Sequence, residues 1–461
     1  MSHDADVVLV NATPPASANA ACAELAQHGN SMIRAGGNWY LLTVLVVVYV
    51  FSFIDRQIIS LIVEPLKNDL HISDTQVSLL HGFTFAIFLA FAGLPIGRLV
   101  DTRRRITIVA VGIAMWSAMT AASGLVAGYA ALMLCRIGIA VGEATLTPAS
   151  HSMIADSFPP QRLGLALGIY GTGTFIGMGM AYLIGAVVIA GVAGNTIALP
   201  LIGTLHPWQL VFIAVGLPGL LVAFWAALLD EPARHRVAHS TEAAPLREVA
   251  AYFRKHLRAI MLLNLTLAFT AMMAYSLTAW APSFLIRTFG WTAPQAGGAL
   301  GPIIMIFGVL GTIVGGALSD RAVQHSVSGR VLVMTGAAAL SIPFAIAAPL
   351  VSHPVAALAL LAVVVLLATI VIGIGPSATA ALMPARMRGM ASALGVLTVS
   401  VIGLGFGPTA IALMTDHVFA DPLKIRYSLA CLLPVMLLLS TACGLACIQP
   451  YRHSVRPLVE E

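Results

Sequence analysis

Long runs of apolar residues alternate with short polar segments along almost the whole chain. A membrane-spanning helix needs about 17–25 mostly apolar residues in succession, and runs of this kind recur from residue 39 onward. Short segments rich in charged residues, glycine or proline separate them. We therefore predict twelve membrane-spanning helices, over residues 39–63, 77–97, 106–126, 130–155, 163–190, 208–229, 258–286, 296–318, 331–350, 355–383, 390–414 and 428–448.

Two segments of the chain match each other at one fixed offset. Residues 72–105 and 291–324 align without a gap, and each opens with a helix-capping pattern, Ser73-x-x-Gln76 or Thr292-x-x-Gln295. A parallel duplication predicts two six-helix halves with a substrate site between them near the bilayer midplane, reached alternately from each side. The matching pairs, each 219 positions apart, are Gln76/Gln295, Gly82/Gly301, Phe88/Phe307, Gly97/Gly316, Leu99/Leu318 and Asp101/Asp320.

The fold class that follows is an all-α membrane protein with two pseudo-symmetric six-helix bundles. Apolar residues from Leu246 to Leu257 recur at helical spacing opposite several arginines, which predicts an amphipathic helix on the inner leaflet. It can act as a strut between the halves or as a binding surface. The predicted parts are a disordered cytoplasmic tail (1–37), an N-terminal bundle (38–229), a cytoplasmic linker (230–257), a C-terminal bundle (258–449) and a cytoplasmic tail (450–461).

Composition and charge support a membrane protein and argue against nucleic-acid binding. Of all residues, 59% are hydrophobic and 9% charged, whereas soluble domains have about 25% charged residues. The net charge of +5 arises mainly from arginines in the loops on one side, and positive loops stay in the cytoplasm. Both termini are therefore predicted to be cytoplasmic, in a bacterial inner membrane. The five cysteines lack metal-ligand spacing, so no metal or cofactor is predicted.

Four ionisable residues fall inside predicted spans. Asp55 and Arg56 are adjacent in the first span, and Arg136 and Glu143 lie two turns apart in the fourth. Charge at membrane depth is costly and usually lines a water-filled path. We expect Asp55 to face Arg136 and Arg56 to reach Glu143, forming a network without net charge. The network is either a purely structural link between two helices or a site where a carboxylate changes protonation during transport.

The second half contrasts with the first because no Asp, Glu, Lys or Arg falls within its predicted spans from residue 259 to residue 414. A pocket charged on one wall and apolar or aromatic on the other suits an amphiphile. His81 and His151 are the histidines placed well inside spans, as proton relays or as packing residues. The cavity candidates are His81, His151, Asn264, Thr270, Tyr275, Trp280 and Ser377.

The stretch Gly97-x-Leu-x-Asp101-x-x-Arg104 resembles the loop motif of the major facilitator superfamily. Gly316, Asp320 and Arg321 resemble its second copy. The resemblance implies a gating loop that stabilises one access state through contacts of the aspartate with arginine and with a helix terminus. The second copy lacks the arginine cluster of the first, so its gating contacts should be weaker.

The first half also resembles the Spinster branch of that superfamily. The residues that carry this resemblance are Asp55-Arg56, Trp116 and the stretch from Arg136 through Gly142-Glu143-Ala144 to Pro148. It implies that Asp55 and Glu143 couple transport to protons, with Arg56 and Arg136 as ion-pair or substrate-binding groups. It further implies a monomer working by alternating access on a lysolipid-like amphiphile.

Two other transport functions stay open, and enzymatic activity is not predicted. An organic-anion/proton symporter would bind a carboxylate through Arg56 or Arg136, and a proton-driven drug exporter could use the same charged cavity. A membrane-embedded enzyme would need a nucleophile or metal set near the end of a span, and the sequence offers no such cluster. The predicted partners are a small amphiphile or organic anion, protons and membrane lipid.

Overall fold

The protein is described by a computed structural model that covers residues 38–192, 197–199, 203–234, 246–384 and 387–460. These residues include twelve helices long and apolar enough to cross a membrane, which confirms the predicted architecture. The predicted tail over 1–37 and the middle of the linker lie outside the described residues. We number the membrane-spanning helices span 1 to span 12 in chain order.

The N-terminal half contains spans 1 to 6 and a short hairpin. Span 1 runs over residues 38–57 and ends in a 3-10 turn, Ile58–Leu61, before a short helix, Val63–Leu70. Strands β1 (Ile197–Leu199) and β2 (Gly203–Leu205) form an antiparallel pair that was not predicted. The other spans are span 2 (Asp74–Ser78, the π-helical turn Leu79–Phe83 and Thr84–Thr102), span 3 (Arg105–Ser123), span 4 (Tyr129–Glu143 and Leu146–Ser157), span 5 (Pro160–Val192) and span 6 (Pro207–Ala227).

The C-terminal half contains a linker helix, Leu246–Lys255, and spans 7 to 12. Span 11 is irregular and includes two π-helical segments. A 3-10 turn, Pro422–Lys424, precedes span 12. The spans are span 7 (Leu257–Phe289), span 8 (Ala293–His325), span 9 (Gly329–Leu350), span 10 (Pro354–Ala381), span 11 (Arg388–Thr398, Val399–Phe406, Gly407–Leu413 and Met414–Val418) and span 12 (Ile425–Glu460).

Span 12 extends beyond its predicted end at residue 448. Tyr451 and Val455 are buried in the hydrophobic core of the C-terminal half, and the Tyr451 hydroxyl donates to the Ala378 carbonyl at 3.1 Å. Residues 450–460, predicted as a tail, therefore continue the helix. The sequence predicted an earlier end because these residues are more polar than the span before them. One face of this part of the helix nevertheless carries residues that pack in the C-terminal half.

Both predicted capping boxes are present at the starts of spans 2 and 8. The Ser73 hydroxyl accepts from the Gln76 N–H at 3.2 Å, and the Thr292 hydroxyl accepts from the Gln295 N–H at 3.4 Å. In each case the glutamine side chain accepts from the N–H of the cap residue at 2.9 Å. These reciprocal bonds satisfy N–H groups that a helix start leaves without partners.

Three spans are interrupted where the sequence weakens the helical hydrogen-bond ladder. Span 4 breaks after Glu143, because Pro148 has no N–H to donate to the carbonyl four residues earlier. Thr145 donates its hydroxyl to the Gly142 carbonyl at 2.8 Å beside the break. The π-helical turns of spans 2 and 11 meet at Gly82, where a Cβ would lie 2.5 Å from the Leu404 carbonyl oxygen.

The two halves are joined at one end, which we call the closed end. It is the end where span 1 finishes, and all hydrogen bonds and ion pairs between described residues of the two halves lie there. One hydrophobic cluster contains residues of both halves. The second belongs to the N-terminal half except for Leu404 and Tyr275, and the third to the C-terminal half alone. We call the opposite end the open end.

Candidate functional site

Arg56 of span 1 and Glu143 of span 4 form a buried ion pair, as the sequence predicted. The Ser52 hydroxyl donates to the same Glu143 oxygen, Oε2, at 2.9 Å. The Arg56 guanidinium also lies 4.7 Å from the ring centroids of both Phe53 and Phe85. Two aromatic faces thus replace part of the water that a guanidinium would otherwise bind.

Local helix geometry brings these groups together. Ser52 and Arg56 are four residues apart, so they share one face of span 1. Glu143 is the last residue of the first segment of span 4 and lies beside the helix break. Sequence reasoning missed Ser52, although the four-residue spacing from Arg56 was a usable signal.

The predicted pairing of Asp55 with Arg136 is wrong in one respect. Arg136 donates its Nε to the Leu80 carbonyl at 3.1 Å and its Nη1 to the Asp55 main-chain carbonyl at 3.4 Å, and it forms no ion pair with the Asp55 carboxylate. Leu80 belongs to the π-helical turn of span 2, and Asp55 precedes the 3-10 turn of span 1. Irregular turns leave carbonyl oxygens available to side chains, so the guanidinium binds main chain there.

Several buried atoms of the four charged residues have no hydrogen-bond partner among the described residues. They include both carboxylate oxygens of Asp55, Oε1 of Glu143, Nε of Arg56 and Nη2 of Arg136. Buried polar atoms without partners are costly and rare in native structures. The centre of the N-terminal half therefore keeps free hydrogen-bonding capacity for a proton, water or a polar ligand.

An aromatic series leads from the charged pair toward the open end. Tyr49 packs edge-on against Phe53 at 5.1 Å and stacks on Tyr170 at 4.4 Å with an interplanar angle of 12°. His151 meets Tyr170 edge-on at 5.5 Å and is exposed. This cavity candidate therefore lies at the solvent-accessible end of the series, whereas Arg56 lies at its buried end.

The other cavity candidates occupy different environments. His81 is buried and lines a small cavity together with Trp280, whose indole N–H donates to the Pro408 carbonyl at 2.9 Å. Tyr275 is half-buried and packs against the cores of both halves. Ser377 of span 10 is exposed, and its hydroxyl donates to the Ile374 carbonyl at 2.8 Å.

Two predicted cavity residues instead form contacts within the C-terminal half. The hydroxyl of Thr270 bonds with Ser440 of span 12 at 2.8 Å, so Thr270 joins spans 7 and 12. Asn264 is buried and donates to the Ile260 carbonyl at 2.8 Å within span 7. The Thr270 hydroxyl is thus satisfied, whereas the buried Asn264 Oδ1 has no partner among the described residues.

The predicted gating residues lie near the ends of helices, except Arg104, which lies in the connection between spans 2 and 3. Gly97 and Asp101 belong to span 2, and Gly316, Asp320 and Arg321 belong to span 8, which continues to His325. Asp101 and Arg104 are exposed, and Asp101 forms no side-chain hydrogen bond or ion pair within the described ranges. The gating contacts implied by the loop motif are therefore not made in this conformation.

A charged cluster at the closed end was not predicted from the sequence. Arg287 of span 7 donates to Glu64 at 2.8 Å and to both oxygens of Asp74 at 2.6 and 2.8 Å, and Lys67 also pairs with Asp74. We call Glu64, Lys67, Asp74 and Arg287 the closed-end cluster. It joins the two halves through charge-assisted bonds, with the Asp74 side chain fully buried.

A second cluster, near the open end, ties the start of the linker to spans 3 and 4. Arg105 donates to Glu231 at 2.9 Å and pairs with Asp156. Burial disfavours the charged form of Glu231, but hydrogen bonds from the Ile106 N–H and from Arg105 outweigh it and hold the pKa of Glu231 below its usual value. The carboxylate is therefore charged at neutral pH.

A family model of the Major Facilitator Superfamily matches residues 45–408. The chain belongs to this superfamily. One superfamily member with a solved structure that it resembles is a bacterial homologue of the human lysosomal transporter Spinster, captured in an inward-facing, unoccupied conformation. That similarity has a TM-score of 0.74 at 26% identity and covers 92% of this chain and 98% of the other.

Other superfamily members with similar sequences transport different compounds according to their names. An MFS-type efflux pump of Mycolicibacterium smegmatis is 27% identical over 429 residues, covering 92% of this chain and 95% of the pump. The Probable L-galactonate transporter of Escherichia coli is 25% identical over 287 residues, covering 60% of each chain. This major facilitator protein is thus a Spinster-like multi-pass transporter.

Proposed function

We propose that this protein is a proton-coupled secondary transporter that moves a small amphiphilic or anionic molecule by alternating access. The observation that carries the proposal is the buried Arg56–Glu143 ion pair. Nε of Arg56 and Oε1 of Glu143 have no hydrogen-bond partner among the described residues, and neither do the carboxylate oxygens of Asp55. Asp55 forms no ion pair with a described residue, so it can exchange a proton without breaking one, whereas Glu143 is paired with Arg56. Asp55 is accordingly the group to which we assign the transported proton in this conformation.

The mechanism follows from competition for Arg56. When Arg56 binds Glu143, the glutamate is held as a carboxylate by Arg56 and Ser52. An anionic substrate that bound Arg56 would leave Glu143 without its counter-charge, and Glu143 would then take up a proton. Substrate binding and protonation are thereby linked at one arginine.

The orientation is also part of the proposal. Lys and Arg residues are concentrated at the open end, and positive residues remain on the cytoplasmic side. The open end is accordingly the cytoplasmic side, the closed end faces outward, and both termini lie in the cytoplasm of a bacterial cell with the protein in its inner membrane. The conformation is then inward-facing, as in the solved Spinster homologue.

Two features favour an amphiphile as the substrate. The four central charged residues belong to spans 1 and 4 of the N-terminal half, whereas Tyr275 of span 7 is half-buried and Ser377 of span 10 is exposed. Phe53 and Tyr170 of the aromatic series are buried, and half-buried Tyr49 is its more accessible member near Arg56. A lysolipid-like molecule would place its anionic head on Arg56 and its chain along Tyr49 and Tyr275.

A compact organic anion is the second candidate, favoured by the similarity to a sugar-acid transporter. A thermal-shift screen of lysolipids and sugar acids at about pH 5.5 and about pH 7.5 compares the two classes directly. Stabilisation by lysolipids alone supports the amphiphile, and stabilisation by sugar acids alone supports the symporter.

The decisive test of proton coupling uses proteoliposomes that contain a pH-sensitive dye. A ligand found in the screen should drive proton flux in the parent protein, and Asp55→Asn and Glu143→Gln should each reduce it by about 100-fold or more. Asp230→Asn, an exposed carboxylate between spans 6 and 7, is the control and should leave the flux unchanged. Undiminished flux in both site variants would refute the proposal.

A further inference from the structure

We propose that His81 is a second protonatable site, on the closed-end side of the charged pair, and that it passes protons to Asp55. This inference rests on the proposed proton-coupled function and adds the route by which the proton enters. It starts from a cavity that lies between the closed-end cluster and the four central charges.

Both halves of the protein contribute to the wall of this cavity. Its lining includes Ile59 and Ser60 at the end of span 1, His81 of span 2, Trp280 of span 7 and Pro408 of span 11. Its volume is about 10 Å³, close to the roughly 10–15 Å³ that one water molecule needs in this measure. Because the lining belongs to opposite halves, separation of the halves at the closed end would open the cavity to solvent.

The His81 side chain has no hydrogen-bond partner although it is almost completely buried. The residue is 3% exposed, and neither ring nitrogen bonds to any described residue. A buried imidazole with both nitrogens unsatisfied is costly, so packing alone does not account for it. Ser60, on the same cavity wall, donates its hydroxyl to the Gln57 carbonyl at 2.7 Å and therefore does not satisfy the ring.

The charged groups facing His81 are Arg136 of span 4 and Arg56 of span 1, whereas Trp280 and Pro408 from the C-terminal half bring no charge. Arg136 binds the main-chain carbonyls of both Leu80, next to His81, and Asp55. His81 and Asp55 therefore flank the same guanidinium. Protonated His81 would be a third positive charge in this buried layer.

These contacts define a transfer step. When the two halves are separated at the closed end, His81 is exposed to solvent and takes a proton on a ring nitrogen. As the halves close, burial and the two guanidinium groups disfavour the imidazolium, and the proton leaves that nitrogen for the layer around Arg136. It bonds to a carboxylate oxygen of Asp55, so the imidazole becomes neutral and Asp55 becomes a carboxylic acid. Total charge is conserved.

Trp280 provides a readout that needs no substrate, because its indole lines the same cavity and a protonated imidazole quenches nearby indole fluorescence. The probe is the proton itself, titrated from about pH 5 to about pH 8 with full-length protein in lipid nanodiscs. Arg287→Ala, which removes the centre of the closed-end cluster, serves as the background in which the cavity opens. In it, fluorescence should fall with a single histidine-like transition on acidification.

The transition should be absent in Arg287→Ala/His81→Gln and in Arg287→Ala/Trp280→Phe, which keeps His81 and removes only the reporter. It should persist in Arg287→Ala/His151→Gln, the control histidine near the open end. Thermal melting establishes that each variant is folded. A transition that survives His81→Gln, or none in the Arg287→Ala background, would overturn the assignment.

Ligand-driven proton flux separates this inference from the proposed function. His81→Gln in the otherwise unchanged protein should slow the flux by about tenfold or more and change its dependence on pH at the outer side. If the parent transports protons and His81→Gln has the same rate and pH profile, the relay is refuted and proton coupling stands. If the parent shows no flux with any stabilising ligand, the proposed function itself fails.

Discussion

Glu143 has two donors for one of its oxygens and none for the other. Arg56 and Ser52 both bond to Oε2, while Oε1 has no partner among the described residues. Breaking a buried ion pair by removing one partner costs about 3–5 kcal/mol, because the remaining charge is left uncompensated. The stability of this region should therefore depend on Arg56 only as long as residue 143 is charged.

We predict that Arg56→Gln lowers the free energy of unfolding by about 3 kcal/mol at neutral pH. Adding Glu143→Gln should recover most of this loss, because no buried charge then lacks its partner. Thermal or denaturant unfolding of the two single variants and the double variant in detergent gives the coupling free energy between residues 56 and 143. Equal losses in Arg56→Gln and the double variant would contradict a stabilising ion pair.

Depth and spacing were enough to predict the Arg56–Glu143 contact from the sequence, but not the partners of Arg136. Span 1 and span 4 run in opposite directions, so their charged residues meet at similar depth. Arg136 instead binds carbonyl oxygens that become accessible at the π-helical turn of span 2 and near the 3-10 turn of span 1. Residue types do not specify such irregular turns.

Helix packing at the closed end depends on close main-chain approach as well as on charge. Gly82 in the π-helical turn of span 2 leaves no room for a Cβ beside the Leu404 carbonyl of span 11. Gly93 of the same span has nothing within 4 Å of the position a Cβ would take. The two glycines therefore form a matched pair for testing this contact.

We predict that Gly82→Ala destabilises the protein by about 1–3 kcal/mol, the usual cost of overpacking. Gly93→Ala should be neutral or slightly stabilising, because alanine favours a helix over glycine. Thermal melting of both variants in the same detergent checks the difference. Equal melting temperatures for the two variants would contradict a tight main-chain contact between spans 2 and 11 at Gly82.

The closed-end cluster should hold the two halves together at that end. Arg287→Ala leaves buried Asp74 with only Lys67 as a charged partner, which we expect to weaken the closed conformation by about 3 kcal/mol. Hydrogen exchange should rise in residues 74–83 and 278–289. Arg426→Ala is the control, because Arg426 binds carbonyls of its own half near the end of span 9; similar exchange in both variants would argue against the cluster.

Apolar run length predicted the twelve spans because hydrocarbon thickness sets the length of a crossing helix. The closed-end cluster escaped prediction because its members come from different halves. Lys67 and Arg287 were visible in the sequence only as isolated positive residues, and no local pattern relates them to Asp74. Such pairings depend on how spans 2 and 7 approach one another in one particular conformation.

The repeat at a fixed offset predicted two similar halves, but it did not predict at which end of the molecule the halves are joined. Under the proposed alternating access the same chain adopts both access states, and such states differ by only a few kcal/mol. Asp101 and Asp320 are exposed here, whereas Asp74 is buried at the opposite end. The gating motif and the closed-end cluster would therefore stabilise opposite conformations.

Acid should weaken the cluster that ties the linker to spans 3 and 4. Because the folded protein holds the pKa of Glu231 below its usual value, the carboxylate stabilises the fold at pH values above about 4.3, its unfolded pKa. That contribution is lost as pH falls through the lower folded value.

We expect Glu231→Gln to melt at a lower temperature than the parent at pH 7, with the gap closing below about pH 4. Melting curves at several pH values, with Asp230→Asn at an exposed position as the control, measure this effect. A gap that does not depend on pH would mean that Glu231 acts by packing rather than by charge.

The break in span 4 gives this transporter a joint inside one of its own membrane helices. The segment Leu146–Ser157 follows the break and is attached through Asp156 to Arg105, and so to Glu231 at the start of the linker. A shift of the connection between the bundles would turn this segment about Ala144 and Thr145 and would reach the preceding segment first at Glu143. The charge state of that carboxylate and the position of the linker would then change together.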